Sequence, residues 1–351
     1  MRWGIAGYGD IVTRRALPAL RALGEEPAVL WGRDARRAAR VAERFGVPRS
    51  GADPGVILRG VDAVYVATPV ATHVPLAAAA LAAGLPVLVE KPLAGGLGSE
   101  DPAAGRTGTG GTLEPAGRCA GVAYYRRLAP AVRRLREELR DRPPERVEVR
   151  FRCAFAPGPA DPMRWRTDPA VSGGGVLADA GSHRLDLLLH LFGRPSEVSA
   201  RLTDRFPAGA ERRADLTVRW PRGLSAHCVI EWGEGAPVDR IELRGPGRTV
   251  VLDPLDAGRL TGLGPRGDGW SAGPGPRGED RPAGTDAAPL LLPPAANPHQ
   301  PLFADFAEAV AEGRPPVCPL AEARVVDDLI IAAGRSSAAG GEPVRLGGAR
   351  R

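Results

Sequence analysis

A glycine-rich turn stands between the first strand-like run of this chain and its first helix-like run, and no other feature restricts the possible folds as tightly. Trp3-Gly4-Ile5-Ala6 reads as a strand, Gly7-Tyr8-Gly9-Asp10-Ile11-Val12 follows at once, and Ile11 to Leu23 reads as a helix. At such a junction Gly7 permits the tight turn, and Gly9 lets the backbone approach a pyrophosphate held at the helix N-terminus. The context carries this reading, because a chain with 46 glycines offers many Gly-rich turns. Val12 in the place of the third glycine implies slightly looser packing of helix on strand, and Pro18 should interrupt or kink the helix.

Strand-like and helix-like runs go on alternating, the pattern of a parallel sheet with crossover helices. Ala28 to Trp31, Val61 to Ala67 and Pro86 to Glu90 are the next strands. Ala35 to Phe45 reads as a helix with Asp34 as N-cap and Gly46 as its stop, and Thr72 to Ala83 as another, ended by Gly84. Chemistry collects at the strand ends: Gly32-Arg33 after the second, Thr68-Pro69 with His73 after the third, Glu90-Lys91-Pro92 after the fourth. In an open parallel sheet those carboxyl ends share one edge, where ligands bind. Lys91 is the only lysine among 47 basic residues, a compact, deprotonatable ammonium beside the cofactor crevice. A dinucleotide site that prefers NAD(H) places an acid at the second strand end. Arg33 there suits a 2′-phosphate and favours NADP(H), with Arg37 one turn on as support; the alternative is an ordinary surface arginine. His73 caps its helix or lines the nucleotide site and is given no catalytic role.

Beyond residue 123 the pattern changes. Val147, Val149, Phe151, Cys153 and Phe155 alternate with Glu148, Arg150 and Arg152, and Ala214 to Trp220 and Ala226 to Trp232 repeat the period of two. A one-sided sheet follows, its other face free for water or another subunit. Asp179 and His183, spaced i and i+4 on a predicted helix, share one face with Asp186 and His190. A carboxylate beside an imidazole would fix its tautomer and suit it to proton transfer; the alternative is a capped, salt-bridged helix start. One helix cannot readily wrap four ligands around an ion, so no metal is expected. His190 reads as a core histidine, and His227 and His299 as structural or solvent-facing.

The length of 351 residues favours two domains. No apolar run approaches the roughly 20 residues needed to span a bilayer, and no leader precedes the first strand, so a cytoplasmic protein with no membrane contact is expected. Cys119, Cys153, Cys228 and Cys318 lie far apart, as reduced thiols do. The net charge of +6 is spread among acids, which argues against a nucleic-acid partner.

Taken in order, these motifs resemble the glucose–fructose oxidoreductase / inositol dehydrogenase / MocA family. The matching residues are Gly7-Tyr8-Gly9-Asp10-Ile11, Tyr65 to Pro69 with His73, Glu90-Lys91-Pro92-Leu93-Ala94, Tyr125-Arg126-Arg127 before Pro130, and Gly173 to Asp186. The stretch from Pro301 through Gly313-Arg314-Pro315-Pro316 to Val344 matches its closing helices and last strand. The resemblance implies an α/β chain: a Rossmann NAD(P)-binding domain over 1–123, then an α+β domain over 124–351 with a mostly antiparallel open sheet. It implies hydride transfer between nicotinamide and a sugar, polyol or related carbonyl substrate, in a homo-oligomer formed through the second sheet. His183 would be the general acid/base, Asp179 would orient it, and Lys91 would stabilise oxyanion charge and share the proton relay, with Trp165-Arg166 near the nicotinamide. Gly7, Tyr8, Gly9, Asp10, Ile11, Gly32, Arg33, Arg37, Thr68, Pro69, His73, Glu90 and Lys91 complete the cofactor side. A nicotinamide-dependent glycosidase and a non-catalytic dinucleotide sensor are the alternatives. Two departures stand out: Val70 replaces the usual asparagine, and Gly95 to Gly117 is Gly-rich where the family has a helix, as Gly262 to Gly284 is later.

Overall fold

Six strands form a wholly parallel sheet in the computed structural model, which describes residues 1–96, 113, 117–140, 143–263 and 288–347. They are β1 (Arg2–Ala6), β2 (Glu26–Trp31), β3 (Arg49–Gly51), β4 (Ala63–Val66), β5 (Val87–Val89) and β6 (Ala120–Val122), in the order β3-β2-β1-β4-β5-β6. The order reverses between β1 and β4, so the turns leaving these two strands diverge and open a crevice at the carboxyl edge. Helices cover both faces, which is why β4 and β5 are apolar at every position. The helix after β1 begins as a π-helical turn, Val12–Ala16, and becomes α-helical over Leu17–Ala22. Pro18 falls in the first turn of that α segment, where its missing N–H costs little, so the interruption expected there lies just before it. Val12 is fully buried.

Late chain returns to this sheet. The helix His299–Glu312 lays Phe303 and Phe306 against Trp3, with ring centroids 5.2 and 5.6 Å apart, and Phe303 also meets Tyr65 at 5.1 Å. All four rings are fully buried. Buried aromatic pairs of this geometry contribute about 0.5–1.5 kcal/mol each beyond the area they bury.

Among the described residues nine strands build the second sheet: β7 (Arg146–Cys153), β8 (Glu197–Arg205), β9 (Glu211–Arg219), β10 (Ser225–Trp232), β11 (Val238–Gly245), β12 (Arg248–Leu252), β13 (Arg259–Thr261), β14 (Leu290–Leu291) and β15 (Val344–Arg345). Their order is β14-β13-β12-β11-β7-β10-β9-β8-β15, with β7 and β10 parallel and the other neighbours antiparallel. The helix Leu320–Ala338 packs on β8 and on the helix Ser182–Phe192, and this layer covers the apolar face. Alternate residues such as Ala226, Cys228, Ile230 and Trp232 point into that layer. The opposite face is polar: His227 lies 3.1 Å from Glu148 and 3.0 Å from Asp215, and Arg213 pairs with Glu231. Among the described residues no helix is long and apolar enough to cross a membrane. The expectations for Gly95 to Gly117 and Gly262 to Gly284 fall largely outside the described residues.

Candidate active site

The cofactor side starts at the β1 turn. Gly7 has φ +109, and a Cβ there would stand 2.3 Å from the Ala67 carbonyl oxygen, so the turn requires glycine. A Cβ on exposed Gly9 would meet nothing within 4 Å, leaving its backbone open to approach. The first N–H groups of a helix have no intrahelical partner, so the start at Asp10 and Ile11 offers donors to an anion. Asp10 is exposed, 3.5 Å from Arg14, and Ile11 is half-buried. The Tyr8 ring lies over Gly32, where a Cβ would sit 1.7 Å from Cε1, and the Arg37 guanidinium is 4.9 Å from the ring centroid. Asp34, the nearest acid, accepts the Arg37 N–H at 3.0 Å as the cap of its helix, while Arg33 and Arg37 are exposed. An open glycine cradle rimmed by exposed guanidinium groups fits a dinucleotide.

The β4 and β5 ends are tied together by His73, which neither caps its helix nor faces solvent. It is buried, with Nδ1 2.9 Å from the Pro92 carbonyl and Nε2 2.8 Å from the Thr68 carbonyl, and burial lowers its pKa. The Thr72 hydroxyl donates to the Pro69 carbonyl at 2.8 Å and lies 2.7 Å from the Thr68 hydroxyl, from which it can accept. Next along the edge, buried Glu90 accepts hydrogen bonds from Tyr65 at 2.6 Å and His299 Nε2 at 3.0 Å, and from the Lys91 N–H at 3.2 Å. Burial alone would raise the Glu90 carboxyl, but His299, Tyr65 and Lys91 together hold it below the ordinary value.

Lys91 precedes Pro92 through a cis peptide, and its Nζ donates to the Asp179 carbonyl at 2.9 Å and to Asp179 Oδ1 at 3.0 Å. An ammonium has three N–H donors, so one is left for a ligand. Arg166 Nη1 donates to Asp179 Oδ2 at 3.1 Å, and its guanidinium lies 5.7 Å from the Trp165 ring. Burial works to raise the Asp179 carboxyl, yet Lys91 and Arg166 overcome it and lower its pKa.

The expected Asp179–His183 pair is not formed. Leu177–Gly181 is a π-helical turn whose wider winding breaks the i, i+4 alignment, and both Asp179 oxygens are taken by Lys91 and Arg166. His183 is buried with its Nδ1 unpartnered, its ring edge-on to Tyr124 at 5.8 Å and to Tyr125 at 5.4 Å. Burial, then the charges of Arg126, Lys91 and Arg184, push its pKa well below the ordinary value, so the ring is neutral. Asp186 leaves the stripe as well, pairing with Arg127 at 2.6 Å where both side chains are 1% exposed, and half-buried His190 is pushed down to about 3 by burial. Nor is His299 solvent-facing: it is 2% exposed and its ring stacks 5.2 Å from Tyr125. Asn297, which accepts the His299 N–H at 3.1 Å, is the helix-start signal that could have located it. Among the described residues no group of three or more potential ligands could hold a metal.

Residues 1–99 match an oxidoreductase family with an NAD-binding Rossmann fold, and residues 143–251 match the GFO/IDH/MocA C-terminal domain. D-xylose 1-dehydrogenase (NADP(+)) 2 of Haloferax volcanii is 31% identical over 229 residues, 64% of this chain and 68% of that protein. The dTDP-3,4-didehydro-2,6-dideoxy-alpha-D-glucose 3-reductase of Streptomyces antibioticus is 33% identical over 226 residues, 62% of this chain and 63% of that protein. Among solved structures, GenD2 from gentamicin A biosynthesis, in complex with NAD, superposes with a TM-score of 0.77 at 26% identity, covering 99% of this chain and 97% of that one. Levoglucosan dehydrogenase, at 21% identity and TM-score 0.80 over 99% of both chains, shares the fold.

Proposed function

This chain belongs to the GFO/IDH/MocA oxidoreductase family, and from that membership we propose that it is a dehydrogenase or reductase of a sugar or sugar-derived carbonyl compound, with NADP(H) preferred over NAD(H). The observation that carries the reading is Lys91 Nζ, fixed by two bonds to Asp179 with one N–H uncommitted among the described residues, at the carboxyl edge of the sheet. The curated relatives are named for xylose, anhydro-sugar and nucleotide-linked sugar substrates, and this supports the carbohydrate class.

Gly7, Gly9, Asp10 and Ile11 would hold the pyrophosphate, with Tyr8, Gly32, Arg33 and Arg37 around the adenosine ribose. Thr68, Pro69, His73 and Glu90 would shape the crevice toward Trp165 and Arg166. Bound nicotinamide would supply or accept the hydride. Lys91 Nζ gives a proton to the substrate oxygen on reduction and receives it on oxidation, and its charge stabilises that oxygen meanwhile. Asp179 holds the ammonium in place and balances its charge, while Arg166 fixes the second carboxylate oxygen. A neutral His183 serves as a hydrogen-bond partner for a substrate hydroxyl, a role that needs no carboxylate beside it. Preference for NADP(H) rests on Arg33 and Arg37, exposed beside Asp34, whose carboxylate is occupied as a helix cap. Four unbonded cysteines fit a reducing cytoplasm, and the polar outer face of the second sheet is the surface for a homo-oligomer.

Fluorescence titration of NADPH and NADH on wild type and Arg33→Ala tests the cofactor reading, followed by a sugar and keto-sugar screen on the same sample. Loss of one charge-assisted bond to a 2′-phosphate should weaken NADPH about 10–100-fold and leave NADH unchanged. Failure of both dinucleotides to bind overturns it.

A further inference from the structure

The turn that carries Lys91 is gripped from the second domain by one buried carboxylate. Asp327, in the helix Leu320–Ala338, is 7% exposed; its Oδ2 accepts the Ala94 N–H at 2.9 Å and its Oδ1 the Gly95 N–H at 2.9 Å. On the far side of the same turn His73 holds the Pro92 carbonyl. One residue on, the Gly96 N–H donates at 2.6 Å to the carbonyl of Gly173, in the glycine run that leads into Asp179. Gly95 has φ +61, and a Cβ there would stand 2.6 Å from the Gly173 oxygen, so the turn passes that run too closely for any side chain. The Lys91-bearing and Asp179-bearing segments thus meet at one seam, and Asp327, from a third element, is bonded to the backbone of the Lys91-bearing turn.

We propose that Asp327 is a positioning residue for Lys91: by accepting two successive backbone N–H groups it fixes the Lys91–Gly96 turn so that Nζ meets Asp179, and its protonation releases the turn. The inference rests on Lys91 being the lysine that acts on the substrate. A carboxylate accepts strongly at both oxygens, whereas a carboxylic acid carries a proton on one of them and leaves one of the two N–H groups facing a much weaker, uncharged acceptor. Burial raises the Asp327 carboxyl to about 7, against the lowering effect of the Ala94 and Gly95 bonds. Asp328 on the same helix raises it further and Arg324 lowers it. From the β6 side the Tyr124 phenol faces it, itself raised by burial and by Asp327 and Asp186. From the helix Ser182–Phe192 the nearby charge is Asp186, paired with Arg127. The grip is half lost at about pH 7, becomes complete as the pH rises well above that value and is lost as it falls below.

Because Lys91 is the sole lysine, the chain labelled only with ¹³C-lysine gives a single lysine spin system, which reads the position of Nζ without substrate or cofactor. The expected result is a shift of the Lys91 Cε–Hε resonance with a midpoint near pH 7 in the wild type, absent in D327N. Wild-type kcat should fall across the same window, while D327N should be about 10–100-fold slower with that limb gone, the scale of a small misplacement of a reacting group. A Lys91 signal that does not move near pH 7, one that moves identically in D327N, or a D327N enzyme with wild-type kcat and pH profile overturns the proposal. If D327N does not fold, hydrogen-exchange protection of the Ala94 and Gly95 amides in the wild type decides instead: a fall below about pH 7 supports the grip, and constant protection overturns it. A Lys91 shift that follows Asp327 in a protein that turns over no sugar would sink the proposed function and leave the positioning intact.

Discussion

Replacing Lys91 by methionine keeps most of the side-chain volume and removes only the ammonium, so it isolates what that charge does. Nζ stands 3.0 Å from Asp179 Oδ1, with the two side chains 17% and 21% exposed. At an effective dielectric near 20 a contact of that length corresponds to about 5–6 kcal/mol of gross attraction, before desolvation and solvent screening offset much of it. The share that reaches the transition state is that of a single lost donor to a developing oxyanion, about 2.7–4 kcal/mol, or about 10²–10³ in kcat. Stopped-flow turnover with the best carbonyl substrate measures the loss, and fluorescence titration measures the NADPH dissociation constant separately. Lys91→Ala should regain part of its activity with added methylamine, since no other lysine in the chain can substitute. Loss of kcat below tenfold would refute the reasoning. So would an NADPH affinity that fell in step with kcat, for the ammonium would then be holding the cofactor instead of meeting the substrate.

Two further outcomes follow from the charges that the fold buries or pairs. Glu90 has a folded pKa below its ordinary 4.5, so its contribution to stability is complete above that value and is lost as the pH falls through the folded one; Glu90→Gln should lower stability by about 1.5–3 kcal/mol at pH 7 and by progressively less below pH 4.5 in urea titrations. A deficit unchanged at pH 3 would show that the cost lies in packing. His227 is affected in the opposite sense: although partial burial lowers its pKa, the bonds to Asp215 and Glu148 raise it overall above 6.5, so the stabilisation is complete below 6.5 and fades as the pH rises through the folded value. His227→Asn should therefore melt earlier than wild type at pH 6 and together with it in mild alkali, and parallel melting curves across that range would refute the pairing.

The βα units of the first sheet were legible because each signal there is local. Gly7 and Gly9 follow their strand directly, Asp34 caps the next helix, and Thr68-Pro69 and Glu90-Lys91-Pro92 mark strand ends within a few residues. The edge strands β3 and β6 escape the same reasoning, because Arg49-Ser50-Gly51 and Ala120-Gly121-Val122 are too short to show a period. Within the site, local logic misleads where a distant partner wins. Asp179 and His183 would face each other on an α-helix, yet Lys91, 88 residues earlier, and Arg166 claim the carboxylate, and a π-helical turn separates the pair. Asp327 and His299 act through partners more than 200 residues away, Gly95 and Glu90. Neither pairing leaves a trace in periodicity or composition, since both arise when two faces of the fold meet.

The helix His299–Glu312 bears on how the chain is made as well as on how it is held. All six strands of the first sheet lie within the first 122 residues, so their hydrogen bonds can close while the rest of the chain is still being synthesised. The rings of Trp3 and Tyr65 cannot then be dry, because Phe303 and Phe306, which cover them, are translated far later. A ribosome therefore holds out a nearly finished nucleotide-binding sheet with an aromatic face exposed for most of the elongation time. That face is the surface on which a chaperone, or a neighbouring nascent chain, competes with the protein's own late helix.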